Sequence, residues 1–205
     1  MNLTLTDLHR RDHRKAIQFA LEGMHCEAYF NHALPMKLYG LRFFYSELNQ
    51  ATQAIAAYEG SRLVGLLLAR MDGEPQRFRT LRQRFLVQLA AVVHRLFVRG
   101  GAQSYDQANE EMFARYTQNH QPQGELLFLV ADPQMNRKGI GTLLLQELER
   151  RESGKTIYLF TDDNCTWQFY EHRGFERAGE KDIHMLLHGE QVPLKCLLYS
   201  KTLGS

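Results

Sequence analysis

The sequence predicts an α/β (α+β) domain, a mixed sheet flanked by helices. Three observations predict it. From Gly124 onward, strand-like and helix-like runs alternate, an order that brings at least one pair of strands parallel. Earlier in the chain, two apolar strand-like runs are joined by Glu59-Gly60-Ser61, the signature of a hairpin. Between the later runs, NRKGIGT (Asn136 to Thr142) leads into an amphipathic stretch, the pattern of a loop that opens a helix.

Composition sets the bounds. The chain has 205 residues, 44% of them apolar and 23% charged, which suits one domain with a substantial core. A net charge of +2 gives no bulk signal for a nucleic-acid partner, and none is expected. Cys26, Cys165 and Cys196 are far apart and make no Cys-x-x-Cys, so neither a zinc site nor a disulfide framework is indicated. No HExxH motif occurs among the nine histidines, and no metal is expected. The polar N-terminus shows no secretory signal, and no run approaches the ~18 to 20 apolar residues of a membrane span. A reducing cytoplasm is the expected location, with no membrane association.

The elements follow in order. Asp7 is placed to cap a first helix over about 8–30, which Gly23 weakens or splits. Pro35 interrupts, and a second helix is expected over about 36–48. Two strands follow at about 52–58 and 62–71, the second apolar enough to be buried on both faces. Residues 74–120 read as a helical insertion into the single domain. Phe78, Leu81, Phe85, Leu89, Val92 and Leu96 form a helical stripe, and a shorter helix follows at about 104–118.

GELLFLVAD is a buried strand ended by Pro133. A helix from about Gly139 to Ser153 carries Ile140, Leu143, Leu144 and Leu148 on one side. KTIYLFTD is a further strand, followed by a short helix at about 164–173 that Gly174 closes. Strand-like segments lie near 175–178, 183–188 and 194–201.

The glycine loop points at an anion. The start of a helix offers unpaired N–H groups and the positive end of its dipole. Gly139 and Gly141 let the backbone come close to a ligand, and Arg137 and Lys138 add positive charge. The dinucleotide fingerprint fails because its third glycine position is Leu144, and the P-loop pattern fails because Gly154-Lys155-Thr156 is preceded by Glu149 where the first glycine belongs.

A second motif narrows the reading. LFLVADPQMNRKGIG resembles the acyl-CoA loop of the GNAT superfamily of N-acetyltransferases, whose pattern is roughly R/Q-x-x-G-x-G/A. NCTWQFYEHRGFE resembles that superfamily's next helix with its Tyr-x-x-x-Gly-Phe ending. Together they cover about 124–178, while the earlier strands and helices fit the family's first half with less specificity. Asn136 departs from the usual Arg or Gln, and Ala131 stands where valine is common.

The resemblance implies a mostly antiparallel sheet, acetyl-CoA as cosubstrate and an amine as acceptor. It assigns the CoA diphosphate to the backbone of Arg137, Lys138, Gly139, Ile140, Gly141 and Thr142. Leu129, Val130 and Ala131 would lie along the pantetheine arm, and one of their N–H groups would face the thioester oxygen. Asn164 is the cofactor-contacting Asn in one register, with Asp163 the competing position. Tyr170 is the candidate general acid that protonates the departing thiolate. Glu125 is the candidate base, eleven residues before Asn136, as in the histone-acetylating branch of the superfamily.

Other residues carry less. Phe169 and Phe175 read as core. Trp167 suits either the cleft or the core, and Cys165 reads as a structural thiol. His172 falls on a different helix face from Tyr170. The leading function is acetyl transfer to a primary amine by direct attack within a ternary complex. The acceptor is a small molecule or, alternatively, a peptide or protein amine. The rival reading is a silent acyl-CoA-binding or regulatory module, and oligomeric state stays open, a homodimer included.

Overall fold

The computed structural model describes residues 3–28, 30, 32–78, 80, 83, 87–88, 102–135, 139–187 and 190–204. Seven strands form its sheet: β1 (Leu3–Asp7), β2 (Gln53–Glu59), β3 (Arg62–Met71), β4 (Gly124–Ala131), β5 (Thr156–Asp162), β6 (Glu176–Leu187) and β7 (Glu190–Thr202). Their order is β1-β2-β3-β4-β5-β7-β6. Every neighbouring pair is antiparallel except β4 and β5. The helices are α1 (His13–Gly23), α2 (Ala33–Gln50), α3 (Ala102–Tyr116), α4 (Ile140–Arg151) and α5 (Gln168–Glu171).

The β2–β3 hairpin forms as expected, with Gly60 at φ 60° in its turn. The chain start differs. Asp7 ends a strand rather than capping a helix, and α1 begins only at His13. The alternation Leu3-Thr4-Leu5-Thr6 is too short to stand out alone, and pairing with β2 decides it. Gly23 is the last residue of α1 rather than a break within a longer helix. Pro35 falls in the first turn of α2, where a missing N–H costs nothing, so that helix starts before it. The segments near 175–178 and 183–188 are one strand, β6, with a register shift between Arg177 and Gly179. Most of the stripe from Phe78 to Leu96 lies outside the described residues, but α3 forms close to the expected place.

Both faces of the sheet are covered. On one, Ile140, Leu144, Leu145 and Leu148 of α4 pack against Ile55, Val64 and Leu67. Leu145, not Leu143, completes the buried stripe of α4. On the other face, Phe19 of α1 and Phe44 and Leu48 of α2 pack on Leu66 and Leu68. Further along, Met112 and Tyr116 of α3 meet Tyr158, Cys196 and Leu198. The alternation of Leu66, Leu67 and Leu68 between the two cores explains why β3 is apolar throughout.

Gly65 sets how closely α4 approaches β3. A Cβ there would stand 2.6 Å from Ile140 Cγ2 and 3.2 Å from the Val130 carbonyl oxygen. Gly65→Ala is therefore expected to lose about 1–3 kcal/mol of stability through overpacking, seen as a lowered melting temperature. It should also weaken any ligand held at the start of α4, because Ile140 is the first residue of that helix.

Candidate functional site: a strand splay facing a helix N-terminus

The parallel pair is short. β4 runs for eight residues, yet only Gly124 and Glu125 pair with β5, at Ile157 and Tyr158. From Leu126 to Ala131, the edge of β4 that faces β5 has no strand partner among the described residues. A register shift against β3 accompanies the divergence: Leu68 pairs with Phe128 and Ala69 with Leu126, so Leu127 is the extra residue. Leu127 and Phe128 therefore face the α1–α2 core together, while Leu126 and Leu129 face the α4 core. The result is a slot in the sheet with free main-chain groups along one wall. Leu129, Val130 and Ala131 lie on that wall, in the stretch the sequence singles out.

At the end of β4 the chain turns sharply. The Asp132 side chain is fully buried and accepts from Arg62 Nη2 at 2.6 Å and from the Gln134 amide at 3.0 Å. That anchor fixes where the glycine loop departs. Asn136, Arg137 and Lys138 lie outside the described residues. Gly139 precedes α4 with φ 98° and no side-chain cap. Its carbonyl accepts from the Leu143 amide at 2.9 Å, which leaves the amides of Ile140, Gly141 and Thr142 without partners inside the helix.

Gly139→Val must hold a branched side chain in the left-handed region, so it should cost about 1–3 kcal/mol even without ligand. Gly141→Val meets a different obstacle, since a Cβ at Gly141 would lie 3.3 Å from the Phe169 ring. For both variants we expect weaker acetyl-CoA binding in calorimetric titration, with a lowered melting temperature in the case of Gly139.

Tyr170 packs on the α4 face. Its ring lies edge-on to Phe169 and Phe175, with centroids 5.4 and 5.6 Å away, and tilts against Tyr199 at 6.2 Å. Among the described residues no group hydrogen-bonds its hydroxyl. Burial, and then the neighbouring Cys165, push the phenol well above its ordinary range. It therefore holds its proton at neutral pH, as a general acid must. The Cys165 thiol is itself pushed up to about 12 by burial and by Asp162, which fits an inert thiol.

Phe175 is buried core and Phe169 half-buried against it, whereas Trp167 is half-buried beneath Arg177, whose guanidinium lies 5.0 Å from the ring centroid. Asp163 is committed to β7, where its Oδ1 accepts from the Lys195 amide at 3.0 Å. Asn164 stands exposed in the turn after β5, its amide donating to Asp162 Oδ1 at 3.0 Å.

Glu125 sits on the opposite side of the sheet, facing α2. Its Oε2 accepts from Arg70 Nη2 at 2.8 Å and from the Tyr158 hydroxyl at 3.0 Å. Burial raises its pKa, against the opposing pull of Arg70 and Tyr158. Arg70 also donates to Gln50 Oε1 at 3.2 Å, which ties the last residue of α2 to the start of the slot.

Sequence reasoning missed the carboxylate next to this network. Glu47 lies one turn before the end of α2, and its pKa is raised to about 7 by burial, then by the charge of Glu125, with Arg70 opposing. Tyr39, Phe43 and Glu47 share one face of α2 at four-residue spacing, and Phe43 meets Phe128 edge-on at 5.6 Å. A single carboxylate on an aromatic stripe, and a single arginine at the end of the apolar run LVGLLLARM, were the available signals. Among the described residues no three His, Cys, Asp or Glu side chains form a metal-holding group.

The described residues thus bring together one diverging parallel pair, an uncapped helix start at the end of the loop that follows β4, and a phenol packed on the α4 face of the sheet. Comparison with known proteins gives the family. Residues 50–177, more than half of the chain, match the acetyltransferase (GNAT) domain, and the chain belongs to that family. No curated protein matches by sequence.

Among solved structures, NAA60 of Arabidopsis thaliana in complex with a bisubstrate analogue superposes with a TM-score of 0.55 at 14% identity, covering 99% of each chain. A histone acetyltransferase HPA2 and related acetyltransferase from Corynebacterium glutamicum gives 0.57 at 14% identity, over 97% of this chain and 96% of that one. The ribosomal-protein-S18-alanine N-acetyltransferase of Escherichia coli gives 0.51 at 11% identity, over 100% and 96%. At such identities these likenesses establish the fold, and the mixed, mostly antiparallel sheet flanked by helices is theirs as well.

Proposed function

We propose that the protein transfers an acetyl group from acetyl-CoA to a primary amine by direct attack in a ternary complex. The observation that carries this reading is the divergence of β4 from β5 after Glu125, which opens a slot in the sheet, with Tyr170 packed on the α4 core and Glu47 near Glu125. In this reading the pantetheine arm lies along Leu129, Val130 and Ala131. The diphosphate sits on the amides from Arg137 to Thr142, and Asn164 completes the cofactor contacts. An N–H of the β4 wall faces the thioester oxygen, where one such donor stabilises the developing charge by about 2.7–4 kcal/mol.

The acceptor amine comes from the α2 side. It arrives as an ammonium and must lose a proton before it can attack. Glu125 is fixed in place by hydrogen bonds from Arg70 and Tyr158, which makes it a good anchor for the ammonium. Glu47, poised near neutrality, is the better acceptor of the proton. The two carboxylates thus divide the work that the resemblance assigned to Glu125 alone. As the tetrahedral intermediate collapses, Tyr170 gives its proton to the departing CoA sulfur. Holding both reactants together supplies much of the rate.

Thiol release from acetyl-CoA, measured across a chemically diverse panel of small amines and peptide N-termini, tests the proposal. Turnover stimulated by one class of amine supports it and names the acceptor. Tight acetyl-CoA binding without turnover on any amine would instead favour a silent binding module.

A further inference from the structure

The first turn of α4 already holds a cation that no step above uses. Arg173 follows α5 and reaches back across the start of α4. Its Nε and Nη2 both donate to Thr142 Oγ1, at 3.0 and 2.5 Å. Its guanidinium lies 5.2 Å from the centre of the Phe169 ring. That ring in turn stands where a side chain at Gly141 would touch it. The backbone is pinned as well: the Arg173 carbonyl accepts from Lys201 Nζ at 2.7 Å, and its amide donates to the Tyr170 carbonyl at 2.9 Å. The arginine is thus tied to two groups distant in the chain, Thr142 and Lys201.

The placement is electrostatically odd for the protein alone. Thr142 is the third residue of α4, where the helix dipole presents its positive end and disfavours a cation. The Thr142 hydroxyl, and the His172 carbonyl that accepts from Nη1 at 3.2 Å, leave part of a fork of five N–H donors unmet. No carboxylate pairs with Arg173 among the described residues. A multiply charged anion bound between the guanidinium and the free amides would reverse the sign of both effects.

Resting on the acetyl-CoA reading, we propose that Arg173 is a cofactor-positioning residue that closes over the diphosphate from the α5 side. The amides of Ile140, Gly141 and Thr142 grip this group from one side, and the guanidinium supplies charge from the other. Such a clamp fixes the length of pantetheine that reaches into the slot, and with it the position of the thioester against Tyr170. It also favours carriers with a diphosphate over shorter acyl-pantetheines.

The test compares Arg173→Gln and Arg173→Lys with the unaltered protein. Ligands are CoA, dephospho-CoA (which lacks the 3′-phosphate) and pantetheine (which lacks every phosphate), read by competition against labelled acetyl-CoA. The expected result is a loss of about ten- to a hundredfold for Arg173→Gln with CoA and equally with dephospho-CoA. Pantetheine should bind both proteins alike, Arg173→Lys should recover part of the loss, and the salt dependence of CoA binding should be shallower in Arg173→Gln.

Equal losses for all three ligands would reduce Arg173 to a structural link between α5 and α4. A loss with CoA but not with dephospho-CoA would move its contact to the 3′-phosphate, and no loss with CoA would end the proposal. Failure of the unaltered protein to bind CoA would sink the acetyltransferase reading itself.

Discussion

Tyr170→Phe is expected to lower turnover by about 10²-fold or more while acetyl-CoA affinity stays nearly unchanged. The substitution removes one hydroxyl and keeps the ring. The contacts with Phe169, Phe175 and Tyr199 are ring contacts and survive it. The hydroxyl anchors nothing else among the described residues, so the fold should lose well under about 1 kcal/mol. What disappears is the phenol proton, which burial makes still harder to lose to water. Steady-state kcat and equilibrium binding of acetyl-CoA, measured on the same preparation, separate the two effects. Unchanged kcat would mean that the thiolate leaves without this acid.

The second large effect is at Glu47. For the unaltered protein, kcat should rise with pH up to about 7 and then level, because the carboxyl must be ionised to accept the proton. Glu47→Gln should remove that inflection and lower kcat at pH 8 by about 10²-fold. Glu125→Gln should act differently. It takes away the neighbouring negative charge that helps hold the Glu47 carboxyl up, so the inflection moves to lower pH. If the inflection instead vanishes in Glu125→Gln and persists in Glu47→Gln, the roles are reversed.

Stability gives an independent check on the same group. The Glu47 carboxyl titrates higher in the fold than its ordinary value of 4.5, so the folded protein binds more protons between those two pH values. Stability therefore falls as pH rises from about 4.5 to 7, and Glu47→Gln should recover on the order of 1–3 kcal/mol at pH 8. A variant less active yet more stable at alkaline pH is the signature of a carboxylate held for chemistry rather than for folding.

Much of this site was legible before any fold was known, because parts of it are local. Gly139 has a left-handed backbone beside a helix start, and glycine is the residue that adopts it without strain. The short helix Gln168–Glu171 runs into a turn that ends at Gly174 with φ 77°, again a local matter. The β2–β3 hairpin depends on a two-residue turn and two apolar runs, all contiguous in the chain. Where an element depends on a distant partner, the chain alone misled. β1 is a strand because β2 offers it an edge, and β6 is continuous because β7 pairs along its whole length.

By itself the sequence determined the glycine-led entry to α4, the aromatic segment that carries Tyr170, and the alternation that makes a mixed sheet. These are short-range properties, set by backbone freedom and by the period of apolar residues. Only the tertiary structure decided that β4 parts from β5 after two residue pairs, that Glu47 stands beside Glu125, and that Arg173 crosses to Thr142. Each of those joins residues at least 31 positions apart, and burial and charge act through space, with no trace in the order of neighbours along the chain.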